Sequence, residues 1–133
     1  MPFHAVRLKP GEDLRGALDR LATERGWPAA CVVTCVGSLR EATLRMAGAA
    51  ERRHFAGPYE IVSLTGTFSR DGSHCHIALS DSDGRLVGGH LLPGCPVHTT
   101  AEVVIAELPG LRFARHPDPA TGYDELVISP GKS

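Results

Sequence analysis

Residues 73–92 have the sequence SHCHIALSDSDGRLVGGHLL, the most informative segment of the chain for both its fold and its candidate site. It consists of two alternating segments around Asp83-Gly84, a dipeptide typical of tight turns between strands. Residues 73–80 and 85–92 are therefore predicted to form neighbouring antiparallel strands.

Three histidines in this hairpin are candidate metal ligands. His74 and His76 share one strand face because side chains two residues apart point the same way, about 6.6 Å apart along the strand. His90 is the natural third ligand, since the turn brings its strand back beside theirs. A loop of three or five residues puts His90 on their face, whereas two or four residues puts it on the other. The sequence leaves the loop length open, and an exposed, solvated His pair is the alternative.

Glu102 is a fourth candidate, placed inside the apolar segment 99–108. A carboxylate there is costly unless it is paired, so it is expected to act as a fourth ligand or as a hydrogen-bond partner of an imidazole. A solvent-facing strand position is the alternative. Three imidazoles suit a divalent ion with an open coordination position, for which zinc is the first expectation and iron the second.

The rest of the chain predicts one helix and many strands. Leu14, Leu18 and Leu21 follow helical spacing, and Gly26 is a typical stop, so a helix is expected near residues 12–25. The other apolar segments are predicted strands: 3–8, 29–38, 41–48, 59–69, 99–108, 111–116 and 123–129. For residues 99–108 a helix is the alternative. This pattern indicates an α+β fold on a mostly antiparallel sheet, in a single domain over residues 1–133.

Charge and hydropathy exclude several classes of protein. The 133 residues hold 14 Lys and Arg against 15 Asp and Glu, a formal net charge of -1. Such a balance excludes a strongly basic nucleic-acid clamp. No apolar run approaches the roughly 18 residues of a membrane span, and the first residues lack an apolar signal core. A soluble, cytoplasmic protein without membrane contact is expected.

Five segments, in this order, resemble the plants-and-prokaryotes-conserved (PPC) domain in its stand-alone prokaryotic form. The resemblance covers about residues 4–128, and it lies in the ordered series of segments rather than in any one motif. The segments are RLKPGEDL (7–14), VGSLREATLR (36–45), GPYEIVSLTGTFS (57–69), the run from HCHIAL to TTAEVVI (74–105) and TGYDELVI (121–128).

The resemblance implies a fold, an assembly and a set of ligands. The family fold is an α+β domain with an antiparallel sheet, similar to that of acetolactate decarboxylase, a zinc enzyme with an HxH-plus-His arrangement. Members typically form trimers, and some prokaryotic members resemble metal-binding proteins at the histidines that match His74, His76 and His90. In plants the domain follows AT-hook motifs in nuclear DNA-binding proteins, and prokaryotic relatives are often labelled as DNA-binding by that association.

Two departures from the plant pattern bear on function. The chain has no Arg-Gly-Arg-Pro AT-hook, and Pro58 stands where plant members carry an Arg. The expectation is a DNA-associated regulatory module with a three-histidine metal site, in a homotrimer. The alternatives are a small zinc-dependent metalloenzyme of unknown substrate and an oligomer without a ligand, so enzymatic activity stays open at this point.

Overall fold

The computed structural model of the protein describes residues 2–131. Within them one α-helix and eight β-strands follow one another along the chain. The elements are β1 (Phe3–Leu8), α1 (Leu14–Arg25), β2 (Ala30–Arg45), β3 (Arg52–Ser69), β4 (Gly72–Ser80), β5 (Leu86–Leu91), β6 (Val97–Glu107), β7 (Leu111–Asp118) and β8 (Tyr123–Pro130). The α+β class and the antiparallel sheet expected from the sequence are confirmed.

Six strands form the main sheet in the order β1-β6-β2-β3-β4-β5, and every pairing is antiparallel. The sheet curls until β5 also pairs with the end of β2, through Leu44 with Leu91 and Arg45 with His90. β2, β3, β4 and β5 therefore form a closed circuit of strands. β7 and β8 make a separate two-stranded sheet.

The core lies between α1 and one face of the main sheet. Leu14 and Leu18 on the helix are almost fully buried, at 0% and 1% exposure. The helix begins at the Asp13 cap, whose carboxylate accepts a hydrogen bond from the Gly16 N–H at 2.8 Å. It ends at Gly26, which adopts the left-handed conformation (φ 65°) and confirms the expected stop.

β2 and β3 are longer than the sequence predicts. The separate strands predicted at 29–38 and 41–48 form the single strand β2, and β3 begins at Arg52 rather than at residue 59, so that Gly57-Pro58 lies inside it. The reason is a β-bulge: Leu39 pairs with Tyr59 and Glu41 with Ala56, so two residues of β3 face Arg40. Proline is tolerated at a bulge because its missing N–H interrupts no ladder hydrogen bond there.

Residues 99–108, for which a helix was also considered, form strand β6. Strand β3 begins with the basic cluster Arg52-Arg53-His54, ahead of the strand predicted at 59–69. Over residues 2–131, no helix combines the length and the apolar character needed to cross a membrane.

Candidate metal centre

The β4–β5 hairpin positions the three histidines. β4 alternates strictly, so Cys75, Ile77 and Leu79 enter the core while His74 and His76 point to the opposite face. The connection to β5 has five residues, 81–85, and it places His90 directly across from His76. The prediction that an odd-numbered loop brings His90 onto the face of His76 is confirmed.

The side chain of Asp81 fixes this loop. Its Oδ1 accepts hydrogen bonds from the backbone N–H groups of Asp83 and Arg85, both at 2.9 Å. The backbone N–H of Asp81 donates in turn to the carbonyl oxygen of Arg85 at 2.9 Å, which closes the loop. These bonds favour the five-residue connection and hence the register that brings the histidines together.

The three imidazoles converge on one point. One ring nitrogen of each lies within 4.8 Å of the others, and the Nε2 atoms of His74 and His76 are 3.2 Å apart. A tetrahedral zinc ion with Zn–N bonds of about 2.0–2.1 Å holds its ligand nitrogens roughly 3.3 Å apart. His90 Nδ1 is buried and has no hydrogen-bond partner. The donor set, and the spacing of the His74 and His76 nitrogens, therefore fit a divalent transition metal.

The electrostatic surroundings keep two of the imidazoles neutral. Partial burial lowers the pKa of His74, and the nearby charge of Arg115 lowers it further. Burial also lowers the pKa of His90, with His76 and Arg45 acting in the same direction. A lowered pKa leaves the ring unprotonated at neutral pH, and only an unprotonated nitrogen binds a metal.

A cavity of about 510 Å³ opens beside the histidines. His74 and His90 lie in its wall, together with residues from the β2 end, the β3–β4 turn and the β7–β8 hairpin. Its charged wall residues are Arg45, Arg115, Asp71, Asp124 and Glu125, with Tyr123 beside them. The candidate centre thus borders a cavity of mixed polar and apolar character that a small molecule can enter.

Glu102 is not brought to the histidines. It lies on β6, exposed, across from Arg7 on β1 and Val36 on β2. β2 and β3 separate β6 from β4 in the sheet, so within this chain the solvent-facing alternative describes its position.

Arg45 and Arg115 are two of the cavity residues that local sequence patterns did not identify. Arg45 is the register partner of His90, 45 residues away along the chain. Arg115 reaches the site from the second sheet, where its Nη2 donates to Thr67 Oγ1 at 3.2 Å and its backbone N–H to Asp71 Oδ2 at 2.9 Å. No local pattern marks either residue, because both arrive through long-range strand pairing and sheet packing.

Curated relatives match the chain over most of its length. The bifunctional protein GlmU of a Synechococcus strain is 45% identical over 130 residues, which is 98% of this chain. AT-hook motif nuclear-localized protein 14 of Arabidopsis thaliana is 32% identical over 71% of the chain. The chain spans only 21% and 25% of these two relatives, respectively.

Solved structures share the whole fold. A hypothetical protein of Salmonella enterica superposes with a TM-score of 0.94 at 43% identity, covering 97% of this chain and 94% of its own. A candidate DNA-binding protein of Bacteroides thetaiotaomicron gives 0.85 at 25% identity, covering 94% and 91%. A metal-containing protein of Archaeoglobus fulgidus gives 0.84 at 27% identity, covering 96% and 94%.

A more distant structure bears on the fold alone. A Staphylococcus aureus protein similar to α-acetolactate decarboxylase superposes with a TM-score of 0.51 at 15% identity, covering 76% of this chain and 50% of its own. The expected likeness to that fold is confirmed.

The family itself follows from the sequence match. Residues 1–109 match the Plants and Prokaryotes Conserved (PCC) domain, which includes the strands that carry all three histidines. The chain belongs to the Plants and Prokaryotes Conserved domain family.

Proposed function

We propose that the protein is a metal-binding module in which His74, His76 and His90 hold one divalent ion. The convergence of their three ring nitrogens within 4.8 Å carries the proposal. The unpartnered, buried Nδ1 of His90 supports it, since a buried polar atom without a partner is costly unless a ligand satisfies it. The metal-containing relative from Archaeoglobus fulgidus has the same fold over 96% of the chain.

Zinc is the proposed metal, with iron as the second candidate. Three imidazoles and no thiolate or carboxylate suit both ions. A three-histidine centre leaves a coordination position open, and an ion bound there polarises a carbonyl group or lowers the pKa of a water molecule. The chain's own contribution is to hold the three rings on two paired strands, with His74 and His90 in the cavity wall.

Metal analysis of the purified protein tests this proposal. We expect about one zinc or iron ion per chain in protein purified without added metal. Dialysis against a chelator should remove it, and zinc added back should restore the same stoichiometry. Protein that holds no metal as purified and takes up none on reconstitution contradicts the proposal.

A role associated with DNA is the second candidate, favoured by relatives rather than by the site. The Bacteroides neighbour is a candidate DNA-binding protein, and the Arabidopsis relative is named for its AT-hook motif. The net charge of -1 offers little attraction for phosphates, so we propose association through a partner protein rather than direct contact.

Electrophoretic mobility of duplex DNA distinguishes the two routes. We expect no shift with this protein alone at low salt, where phosphate contacts are strongest. A shift that weakens steeply with added salt would show direct binding and contradict the indirect route.

A zinc-dependent enzyme is the alternative that the cavity favours. Asp124, Glu125 and Tyr123 line the space beside the histidines and supply groups able to accept or donate a proton. These groups give the proposed metal centre candidate acids and bases for a reaction.

A homotrimer, in the cytoplasm, completes the proposal. Val33 and Val36 on β2 and Val62 on β3 are 51%, 59% and 55% exposed. Exposed apolar side chains that lie together on a sheet surface can form a subunit interface, and we assign that role to these valines. Light scattering at micromolar concentration measures the oligomeric state, and a monomer there contradicts the trimer.

A further inference from the structure

We propose that the metal centre takes a small oxyanion, a molecule carrying a carboxylate or phosphate group, whose charge is recognised by Arg45 and Arg115. The inference rests on the proposed metal site and names the class of ligand for its open side. It is drawn from the two guanidinium groups that share the cavity with His74 and His90.

Arg45 lies beside the histidines because the end of β2 pairs with β5. It is the last residue of β2, and its register partner is His90. Its Nε is buried and has no hydrogen-bond partner, and Arg45 forms no ion pair with any residue from 2 to 131. A buried guanidinium nitrogen without an acceptor is costly, and Arg45 lines the cavity, so an oxyanion there can pair with its guanidinium group.

Arg115 approaches the same space from β7. Its hydrogen bond to Thr67 uses one of five N–H donors, and it too has no ion pair among the residues that the structure describes. Its charge lies close enough to His74 to act on the ring. The donors that remain suit a planar carboxylate or a phosphate, because guanidinium binds both through paired hydrogen bonds.

The acidic residues of the cavity do not neutralise these arginines. Asp71, Asp124 and Glu125 lie in the same wall, yet none comes within ion-pair distance of Arg45 or Arg115. Asp71 is engaged by the backbone N–H of Arg115. A divalent ion and two guanidiniums outweigh three carboxylates, so the loaded centre is positive overall and one anionic group balances it.

The size of the cavity points to a small molecule. A volume of about 510 Å³ is in the range of pockets that enclose metabolite-sized ligands. Polynucleotide phosphates are the other source of the same chemistry. They are expected to bind poorly here, since the acidic residues of the wall would face the neighbouring phosphates of the strand.

Cobalt-substituted protein provides the test, because its visible absorption reports both metal binding and the arrival of an anion at the metal. We expect inorganic phosphate or acetate to change the spectrum of the wild type, and a short DNA duplex to leave it unchanged. The anion that binds more tightly, phosphate or acetate, then identifies the ligand class as phosphate or carboxylate. Arg45→Gln and Arg115→Gln should each weaken anion binding by about tenfold to a hundredfold while cobalt still binds with its bands unchanged.

Controls separate the possible failures. Arg85→Gln removes an exposed arginine from the β4–β5 loop and should leave anion binding unchanged. Arg45→Lys keeps the charge and should retain part of the affinity, which distinguishes recognition from damage to β2. A cobalt spectrum that neither anion changes would overturn this inference alone. Arginine variants with the same anion affinity as the wild type would do the same. Protein that binds no cobalt overturns the metal site and the inference together.

Discussion

Replacing His76 with alanine is expected to lower the zinc affinity of the protein by about a hundredfold to a thousandfold. Structural zinc sites bind with about 10–16 kcal/mol shared among four ligands, so one ligand accounts for roughly 2.5–4 kcal/mol. His76 is the central ring of the three, since its centroid lies 4.8 Å from that of His74 and 4.5 Å from that of His90. Competition with a chromophoric chelator measures the affinity.

His98→Ala is the matched control. His98 is an exposed histidine on β6, which β2 and β3 separate from β4, so its removal should leave zinc affinity unchanged. Circular dichroism should show the same strand content in both variants, because His76 is exposed and its side chain is not part of the core. Equal zinc affinities of His76→Ala and the wild type would contradict the three-histidine centre.

Replacing Phe68 with alanine is expected to destabilise the protein by about 3–5 kcal/mol. Phe68 is 1% exposed and meets Trp27 edge to face, with ring centroids 6.1 Å apart. The loss combines the transfer free energy of the ring with the cost of the cavity left behind it. Such a change is a large part of the 5–15 kcal/mol that typically stabilises a domain. Urea denaturation followed by circular dichroism measures it.

Phe3→Ala provides the comparison at an exposed phenylalanine. Phe3 is on β1 with 60% of its surface exposed, so its removal should change the free energy of unfolding by less than about 1 kcal/mol. Similar losses for the two variants would mean that Phe68 does not have the central position in the core described here.

Much of the fold could be predicted from local patterns, because those patterns have local causes. The leucines of α1, its Gly26 stop and the alternation of β4 each follow from residues a few positions apart. The same is true of the shared face of His74 and His76.

What local patterns could not decide depends on segments distant in sequence. A Gly-Pro dipeptide is typical of a turn, so no local pattern predicts that Pro58 lies at a bulge opposite Arg40 of the neighbouring strand. The register of His90 depends on how the Asp81 side chain closes the β4–β5 loop. The sequence alone allowed a loop with an odd or an even number of residues. Arg45 and Arg115 join the site only through long-range pairing and sheet packing, which no spacing along the chain records.

The closure of β5 onto β2 has a consequence for self-association. An unpaired strand edge is a template on which a second molecule can add a strand, and it is a common route to aggregation. β5 is paired with β4 on one side and, at His90 and Leu91, with β2 on the other. Within residues 2–131 β1 pairs with β6 alone, so it offers an open edge at the opposite end of the strand order. Strand addition at β1 would extend the sheet away from the histidines and leave their cavity accessible.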